Sequence, residues 1–253
     1  MTMLKLDLNC DMGESYGAWT MGHDLAVLPF VSSANIACGF HGGDPTTMRK
    51  TVAAAIEHGV ALGAHPSLPD LLGFGRREMP ITPAEAYDCV VVQIGALSAV
   101  AVSQGARLHH VKPHGALYNM AAKDPLLANA ICRAINDIDP ALVLYGLAGS
   151  ELIKAGQAIG LKVANEVFAD RTYQPDGSLT PRSKAGAMIE DVETSIRQVL
   201  SMVQHQCVTT QAGIAIDVQA DTLCLHGDQP DAAMFAQKIR TALEAAGIAV
   251  ATI

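Results

Sequence analysis

Short apolar segments alternate with longer amphipathic segments along most of the chain, which predicts strands followed by helices. The predicted strands span residues 4–8, 31–37, 60–64, 108–111, 142–145, 162–165 and 222–225, with a weaker eighth at 249–253. The predicted helices span 46–58, 83–104, 125–137, 149–159, 184–205 and 231–246. Several of them follow an Asp-Pro or Thr-Pro pair, which favours a helix start, and glycines stand where helices should end.

Strands that alternate with helices favour parallel pairing through right-handed crossovers. Seven or eight such units in 253 residues predict an α/β fold, a seven- or eight-stranded (β/α) barrel that forms one domain over residues 1–253. An open doubly wound sheet is the alternative. The loop 169–182 is long for this architecture, and long loops in compact domains are often functional.

Composition limits the classes of protein that fit. The formal net charge is −8 and no Lys/Arg run occurs, so we expect neither a nucleic-acid partner nor an anionic membrane partner. Lys5 and Asp7 interrupt the first residues, which argues against a signal peptide, and no run of about 18 apolar residues predicts a membrane span. Six widely spaced cysteines without a C-x-x-C pair indicate reduced thiols, so we expect a cytoplasmic location.

Polar and charged side chains follow six of the predicted strands. They are Asn9, Asp11 and Glu14; His41 and Asp44; His65, Arg76 and Arg77; Lys112, His114, Tyr118 and Asn119; Glu166, Asp170, Arg171 and Tyr173; and His226 and Asp228. In a parallel barrel these positions lie at the C-terminal ends of the strands, where barrel enzymes carry their catalytic groups. Loops are polar in most proteins, but six strands that deliver such groups to one rim favour an active site.

Several of these residues have both a functional and a structural interpretation. Asp11 is either a general base or metal contact, or a cap for the following turn. His41 and His65 follow neighbouring strands, which favours a function over two satisfied rim histidines. Lys112 comes directly after an apolar strand, so it fits an electrostatic stabiliser better than a solvated loop lysine.

Two adjacent arginines suit an anionic ligand. Arg76 and Arg77 can each bind a carboxylate or phosphate through two parallel hydrogen bonds, although one of them can instead pair with Glu78. We interpret Cys10 and Cys38, which fall near the same rim, as small packing residues.

Several familiar motifs are absent from the sequence. There is no G-x-x-x-x-G-K-[ST] phosphate loop, no H-E-x-x-H, no G-x-S-x-G and no G-x-G-x-x-G after a predicted strand. His110 and His114 are four residues apart, but Pro113 between them argues against a helical metal site.

Six long segments of the chain resemble one family. They read LNCDMGESYG (8–17), SANIACGFHGGD (33–44), GAHPSLPD (63–70), VKPHGALYN (111–119), EVFADRTYQPDGSLTPR (166–182) and LCLHGD (223–228). In this order they resemble the LamB/YcsF family, which is the A component of prokaryotic 5-oxoprolinase. The resemblance covers nearly the whole chain, with no polar residue replaced inside these segments.

The resemblance implies a fold, a reaction and partners. The fold is a (β/α) barrel related to the glycoside hydrolase/deacetylase group. The reaction converts 5-oxo-L-proline, ATP and water to L-glutamate, ADP and phosphate. ATP is then a co-substrate that is handled together with the 5-oxoprolinase subunits B and C, which are similar to parts of allophanate and urea-carboxylating hydrolases. Related deacetylases hold a metal with one Asp and two His, but this sequence lacks their spaced histidine pair. A divalent cation stays compatible with the resemblance, but this difference leaves its ligands unassigned.

With this reaction in view, we expect two groups of site residues. The catalytic residues are Asp11, His65, Lys112, His114 and Asp170. The substrate-binding residues are Asn9, Glu14, Asn35, His41, Asp44, Arg76, Arg77, Tyr118, Arg171 and His226. Two other functions stay open, namely a metal-dependent deacetylase or amidohydrolase that acts alone, and a regulatory subunit that binds a ligand without turnover.

Overall fold

The core of the molecule is a closed barrel of parallel strands. The computed structural model describes residues 4–225 and 231–253. The barrel strands are β1 (Lys5–Met12), β2 (Ser33–Ala37), β3 (Ala61–His65), β4 (His110–Val111), β5 (Val143–Leu147), β6 (Val163–Phe168) and β9 (Thr222–Leu225). Each pairs in parallel with the next in this order, and β9 pairs with β1 to close the ring. The predicted (β/α) barrel is confirmed with seven strands, and the open doubly wound sheet is wrong.

Helices cover the outside of the described barrel. They are α1 (Asp24–Val27), α2 (Pro45–Glu57), α3 (Pro83–Ser103), α4 (Gly115–Ala121), α5 (Pro125–Ile138), α6 (Glu151–Ala158), α7 (Val192–His205) and α8 (Ala232–Ala245). Five of them begin after a residue whose side chain accepts hydrogen bonds from backbone N–H groups of the first turn, which satisfies donors that the helix leaves unpaired. These residues are Asp44, Thr82, Asp124, Ser150 and Asp191.

The first strand is longer than predicted and carries polar residues inside the barrel. β1 runs on to Met12, so Asn9 and Asp11 lie within the strand, opposite Ser33 and Asn35 of β2. Because side chains alternate between the two faces of a strand, the apolar residues between them face the helices. The prediction ended this strand at residue 8 because polar residues ordinarily mark a strand end. In this barrel the interior itself is polar, so the strand continues through Asn9 and Asp11.

A buried polar network fills part of the barrel interior. Asp7 accepts hydrogen bonds from the hydroxyl groups of Ser33 at 2.7 Å and Thr222 at 2.6 Å. Asn9 donates to Thr222 at 2.7 Å, and Asn35 donates to Asn9 at 2.7 Å. The five side chains are fully buried, so their hydrogen bonds satisfy groups that would otherwise destabilise the interior.

The segment between β6 and β9 differs most from the prediction. The helix predicted at 184–205 begins only at Val192, and the residues before it form a loop with isolated strand bridges. Gly186 adopts a φ of +69°, which is incompatible with a right-handed helix at that point. A hairpin of β7 (Cys207–Thr209) and β8 (Ala215–Asp217) was not predicted, and the weak eighth strand appears as β10 (Ala249–Val250), paired with the start of β1.

Helix α3 is long and apolar enough, by length and composition alone, to cross a membrane. Its inner face includes Val90, Ile94 and Leu97, which are fully buried in the described core. Gln93 on the same face exchanges hydrogen bonds with the backbone of Ser67. Helices that pack on a protein core pass the same test of length and hydropathy, so this is weak evidence for a membrane span.

Candidate active site

A cavity of about 500 Å³ opens at the C-terminal end of the barrel. Residues from β1, β3, β5, β6, α4 and the loops after β3, β4 and β6 form its walls. The charged and aromatic side chains that line it are Asp11, His65, Arg76, Glu78, Lys112, His114, Tyr118, Lys123, Phe168, Arg171 and Arg182. The volume lies in the range of roughly 300–1,000 Å³ that is typical of small-molecule sites.

Lys112 and two carboxylates form a buried charge cluster on the wall of this cavity. The Lys112 ammonium lies 3.0 Å from Asp11 Oδ1 and 2.7 Å from Glu166 Oε1. Burial disfavours the charged form of Lys112, but the negative charges of Asp11 and Glu166 outweigh burial and hold its pKa well above the usual range. Lys112 is therefore a fixed positive charge that is itself almost completely buried.

Glu166 links this charge cluster to Tyr118. Glu166 is fully buried within β6, and Tyr118 lies on α4. Burial raises the pKa of Tyr118 well above its usual range, and the negative charge of Glu166 raises it further. Tyr118 consequently stays a neutral phenol that faces the cavity.

His65 contacts both Asp11 and His114. His65 Nε2 lies 3.2 Å from Asp11 Oδ2 and 2.9 Å from His114 Nδ1. Burial opposes ionisation of Asp11, but the interactions of its carboxylate with His65 and Lys112 prevail and hold the Asp11 pKa well below its usual range. Asp11 is thus a carboxylate near neutral pH, which a base or an orienting group for water must be.

Glu14 and His41 lie beside these histidines. His41 Nε2 is 3.2 Å from Glu14 Oε1, and the His41 ring stacks on the His114 ring with 3.7 Å between centroids. Burial raises the pKa of Glu14 to about 8, with the Asp11 charge as the next cause. Burial lowers the pKa of His41 and of His114 well below the usual range. We call Glu14, His41, His65 and His114 the histidine cluster; their ligand-type atoms all lie within 4.8 Å of one another, which is compatible with a divalent cation.

The loop after β3 presses against the histidine cluster through unusual backbone. Phe74 has a φ of +55°, which is rare for a bulky residue and points to a functional constraint. Its carbonyl oxygen accepts a hydrogen bond from His114 Nε2 at 2.9 Å. At Gly75, a Cβ atom would come within 2.8 Å of the His114 ring and 2.9 Å of His41 Cβ. Only glycine fits this close approach.

The arginines divide between the cavity and its surroundings. Arg76, Arg171 and Arg182 line the cavity, and Arg171 also donates to the carbonyl of Thr180 at 2.6 Å. Arg77 does not line it. Its guanidinium instead binds the buried carboxylate of Asp70 through both Nε and Nη2, and its side chain is otherwise exposed.

The structure brings most of the predicted site residues together. Those that line the cavity are Asp11, His65, Arg76, Lys112, His114, Tyr118 and Arg171. Glu14 and His41 contact that group, and Asn9 and Asn35 lie behind it, where each hydrogen bonds to its neighbours in the barrel interior. The roles of these residues stay predictions, whereas their positions now follow from the strand pairing.

Three predicted site residues lie elsewhere. The substrate-binding prediction for Asp44 is corrected, because its carboxylate accepts from Thr46 N and Thr47 N and caps α2, the helix start that the Asp-Pro pair had indicated. Arg77 is a correction for the reason given above, since the buried Asp70 carboxylate already binds its guanidinium. Asp170 is not among the residues that line the cavity, although its charge lies near Arg171. The prediction for His226 lies outside the described residues.

Some residues at the site were missed or were given no role by the sequence reasoning. Lys123 and Arg182, which add positive charge to the cavity, were not among the predicted site residues. Glu166, which holds Lys112, was named after the sixth predicted strand but was assigned no role. Glu166 stands beside a predicted strand end, and Arg182 lies at the end of the long loop, so both positions carried a signal. Phe74 carried none, because neither its φ nor its contact with His114 is encoded in local sequence pattern.

Comparisons with known proteins agree with this architecture. The LamB/YcsF family matches residues 6–253 of the chain. The A component of 5-oxoprolinase from Bordetella pertussis (strain Tohama I) is 71% identical over 97% of this chain and 97% of its own. The protein of the same name from Bacillus subtilis (strain 168) is 60% identical over 99% of this chain and 98% of its own.

Solved structures show the same fold. The lactam utilization protein from Thermus thermophilus superposes with a TM-score of 0.94 and 49% identity, covering 99% of this chain and 100% of that one. A T48 deacetylase superposes with a TM-score of 0.50 at 12% identity, covering 99% of this chain and 89% of that one, a likeness that concerns the fold alone.

Proposed function

The chain belongs to the LamB/YcsF family, and from this membership and the geometry of the cavity we propose that it is the A component of a 5-oxoprolinase, a hydrolase that acts on a lactam. The proposal rests first on the full-length similarity to relatives that carry this name. The observation that links it to chemistry is the Asp11–Lys112 pair, which places a carboxylate and a fixed positive charge on one wall of a small cavity.

The chemistry of a lactam explains what such a site must supply. The carbonyl carbon of an amide is a poor electrophile, so ring opening needs a polarised oxygen, a positioned water molecule and a proton for the leaving nitrogen. Asp11, or His65 beside it, orients the water as a base. Lys112 stabilises negative charge that develops on the former carbonyl oxygen, whereas His114, for which the same role was predicted, stays neutral and donates its N–H to the Phe74 carbonyl.

An arginine at the cavity binds the substrate carboxylate. Arg76 and Arg171 both line the cavity, and a guanidinium binds a carboxylate through two parallel hydrogen bonds. Tyr118, a neutral phenol beside them, adds a hydrogen-bond donor. These assignments keep the predicted roles of Arg76, Arg171 and Tyr118 and leave Arg77 out of the site.

ATP is the proposed co-substrate, with the ATP step handled together with partner subunits B and C in the cytoplasm. The name of the relatives implies a multisubunit enzyme, and this sequence contains no G-x-x-x-x-G-K-[ST] phosphate loop. Phosphorylation of the lactam oxygen would make the ring carbon electrophilic. Addition of one water molecule at this chain's cavity, followed by cleavage of the ring C–N bond with a proton delivered to the nitrogen, would then give an acyl phosphate of glutamate. A second water molecule would hydrolyse this acyl phosphate to L-glutamate and phosphate.

The experiment that tests this function is a reconstitution with each of the three chains omitted in turn. ATP-dependent release of glutamate from 5-oxoproline is expected only when this chain and subunits B and C are all present. Full ATP-coupled turnover by this chain alone would contradict the division of labour. Full turnover by B and C without this chain would contradict the catalytic assignment and favour the regulatory role instead.

A further inference from the structure

Two backbone carbonyl groups determine which ring nitrogens of His65 and His114 carry hydrogen. His65 Nδ1 lies 2.7 Å from the Lys112 carbonyl oxygen, and His114 Nε2 lies 2.9 Å from the Phe74 carbonyl oxygen. A carbonyl oxygen only accepts hydrogen bonds, so each of these nitrogens is a donor. In the neutral rings, His65 Nε2 and His114 Nδ1 therefore carry lone pairs, and these two atoms face each other at 2.9 Å.

Two carboxylate oxygens face the same pair of lone pairs. Asp11 Oδ2 lies 3.2 Å from His65 Nε2, and Glu14 Oε1 lies 3.6 Å from His114 Nδ1. The two histidines are almost completely buried, with exposures of 1% and 4%. When both carboxyl groups are ionised, these four atoms are all acceptors and repel one another unless a proton or a cation lies between them.

The geometry points to a binding site for a late first-row divalent metal ion, such as Zn²⁺, with His65 Nε2, His114 Nδ1 and Glu14 Oε1 as its ligands. Metal–ligand bonds of about 2.0–2.2 Å place neighbouring ligand atoms of a tetrahedral site roughly 3.4 Å apart. The distances of 2.9 and 3.6 Å, and the 4.8 Å limit for the whole cluster, bracket that value. Three protein ligands leave a fourth position open, as in catalytic zinc sites.

The ligand types distinguish this ion from the Mg²⁺ that accompanies ATP. Imidazole nitrogens suit zinc and its neighbours, whereas Mg²⁺ prefers oxygen ligands and keeps several water molecules. A site with two imidazoles and one carboxylate therefore favours Zn²⁺ or Co²⁺ over Mg²⁺. When bound, such an ion would supply a Lewis acid beside Asp11.

His41 is an outer partner of the site rather than a ligand. Its ring is parallel to the His114 ring within 3° at a centroid distance of 3.7 Å, so one ion cannot lie in the planes of both rings. His41 Nε2 instead lies 3.2 Å from Glu14 Oε1, where its N–H orients the carboxylate. The two backbone carbonyls orient His65 and His114 in the same way, and such outer contacts are typical of metal-binding histidines.

Metal binding by the untagged chain, measured without substrate, tests the site. After treatment with a chelator, wild-type protein is dialysed against Zn²⁺ with and without excess Mg²⁺, and bound metal is measured by mass spectrometry. One equivalent of Zn²⁺ per chain is expected in both cases, and Co²⁺ in its place should give the visible absorption of a tetrahedral site. Absence of stoichiometric Zn²⁺, or its displacement by Mg²⁺, would overturn the proposal and leave a shared proton as the explanation.

Variants test the ligands and the outer partner separately. Glu14→Gln and His65→Gln remove a ligand and should abolish stoichiometric binding, whereas His41→Phe should weaken it by about 10–100-fold. His58→Gln alters an exposed histidine on the far end of α2 and should bind like wild type. Far-UV circular dichroism checks folding of each variant. A well-folded Glu14→Gln and a well-folded His65→Gln that both bind one Zn²⁺ with wild-type affinity would refute the ligand set.

The ion lies in the cavity of the proposed 5-oxoprolinase site, so the metal site rests on the proposed function. Different experimental results would nevertheless refute the metal site and the 5-oxoprolinase assignment. A chain that binds Zn²⁺ as described and does not support glutamate release keeps the metal site and loses the 5-oxoprolinase assignment. A chain that supports glutamate release with no bound metal in any preparation loses the metal site alone.

Discussion

Asp11 connects the charge cluster with the histidine cluster. Its Oδ1 accepts from Lys112 at 3.0 Å and Asn35 at 2.8 Å, while its Oδ2 faces His65 at 3.2 Å. The capping interpretation requires a contact with the backbone N–H groups of a following helix, and every hydrogen bond described for the Asp11 carboxylate is to a side chain. The geometry therefore favours the chemical role over the cap.

Asp11→Asn is expected to abolish most turnover while leaving the fold intact. The amide keeps the size of the side chain, and Lys112 remains paired with Glu166 at 2.7 Å, so no buried charge loses all its partners. Loss of a general base costs typically about 10²–10⁴-fold in kcat. Turnover and melting temperature are measured in the assembled complex, with Asp139→Asn as control because Asp139 lies in the loop between α5 and β5. A well-folded Asp11→Asn with more than about a third of wild-type kcat would be inconsistent with this role.

Arg77 lies outside the cavity because its guanidinium forms an ion pair with Asp70. Its guanidinium holds the pKa of Asp70 at about 2, below the usual value, with backbone N–H groups contributing. A carboxyl group with a lowered folded-state pKa stabilises the protein above its unfolded pKa of about 3.9, and this contribution disappears as the pH falls through about 2.

Arg77→Met is therefore expected to lower the melting temperature near neutral pH, with a difference from wild type that shrinks as the pH falls from about 4 to 2. Melting temperatures of the two proteins across this range provide the measurement. KM for 5-oxoproline should stay near wild type, in contrast to Arg76→Met at the cavity. A KM increase for Arg77→Met as large as that for Arg76→Met would restore Arg77 to the substrate site.

At the start of helix α2, Asp44 was likewise predicted to bind substrate and instead has a structural role. Asp44 accepts from the backbone N–H groups of Thr46 and Thr47 at 2.8 and 3.1 Å, and from Gly17 N at 3.0 Å. These hydrogen bonds lower the pKa of Asp44 to about 2. The residue holds the start of α2 and ties it to the loop after β1.

Asp44→Ala is expected to lower the free energy of unfolding, the usual effect of a lost helix cap, without a change in KM. Asp44→Asn is the matched variant, because asparagine is an equally good cap and should retain most of the stability. Denaturant unfolding of the two variants measures the difference. A KM change in both variants with unaltered stability would instead indicate substrate contact.

At the scale of the whole molecule, closure of the barrel joins the first strand to the last one before α8. β1 pairs with β2 on one side and with β9 on the other, so no half of the chain retains all of its strand pairs alone. The polar network in the interior likewise joins Asp7 to Thr222 across this closure. The single-domain assignment over residues 1–253 stays a prediction that this topology supports.

The chain is accordingly expected to unfold in one cooperative transition. Far-UV circular dichroism and tyrosine fluorescence should give coincident denaturant curves, and the calorimetric and van't Hoff enthalpies should agree. Two separated transitions would show that part of the barrel remains folded without the rest, and would contradict a single domain. Chains of this length often populate folding intermediates, so the measurement distinguishes a single cooperative transition from stepwise unfolding.

Local sequence pattern determined the fold. The alternation of apolar and amphipathic segments, the Pro-containing helix starts and the glycines at helix ends are short-range features, and they located all seven barrel strands with errors at the ends. The positions of Asp11, His65, Lys112 and His114 at the cavity followed from one rule, that strand ends in a parallel barrel share one rim.

Only the tertiary structure decided what each side chain does there. Lys112 meets Asp11 and Glu166 from distant parts of the chain, and the hydrogen positions on His65 and His114 depend on the carbonyls of Lys112 and Phe74. The partner of Arg77 was also decided only by the tertiary structure, because sequence spacing alone does not distinguish Asp70 from Glu78 or an anionic ligand. Charge state, tautomer and pairing depend on distances between residues that strand closure brings together, and no local pattern encodes those distances.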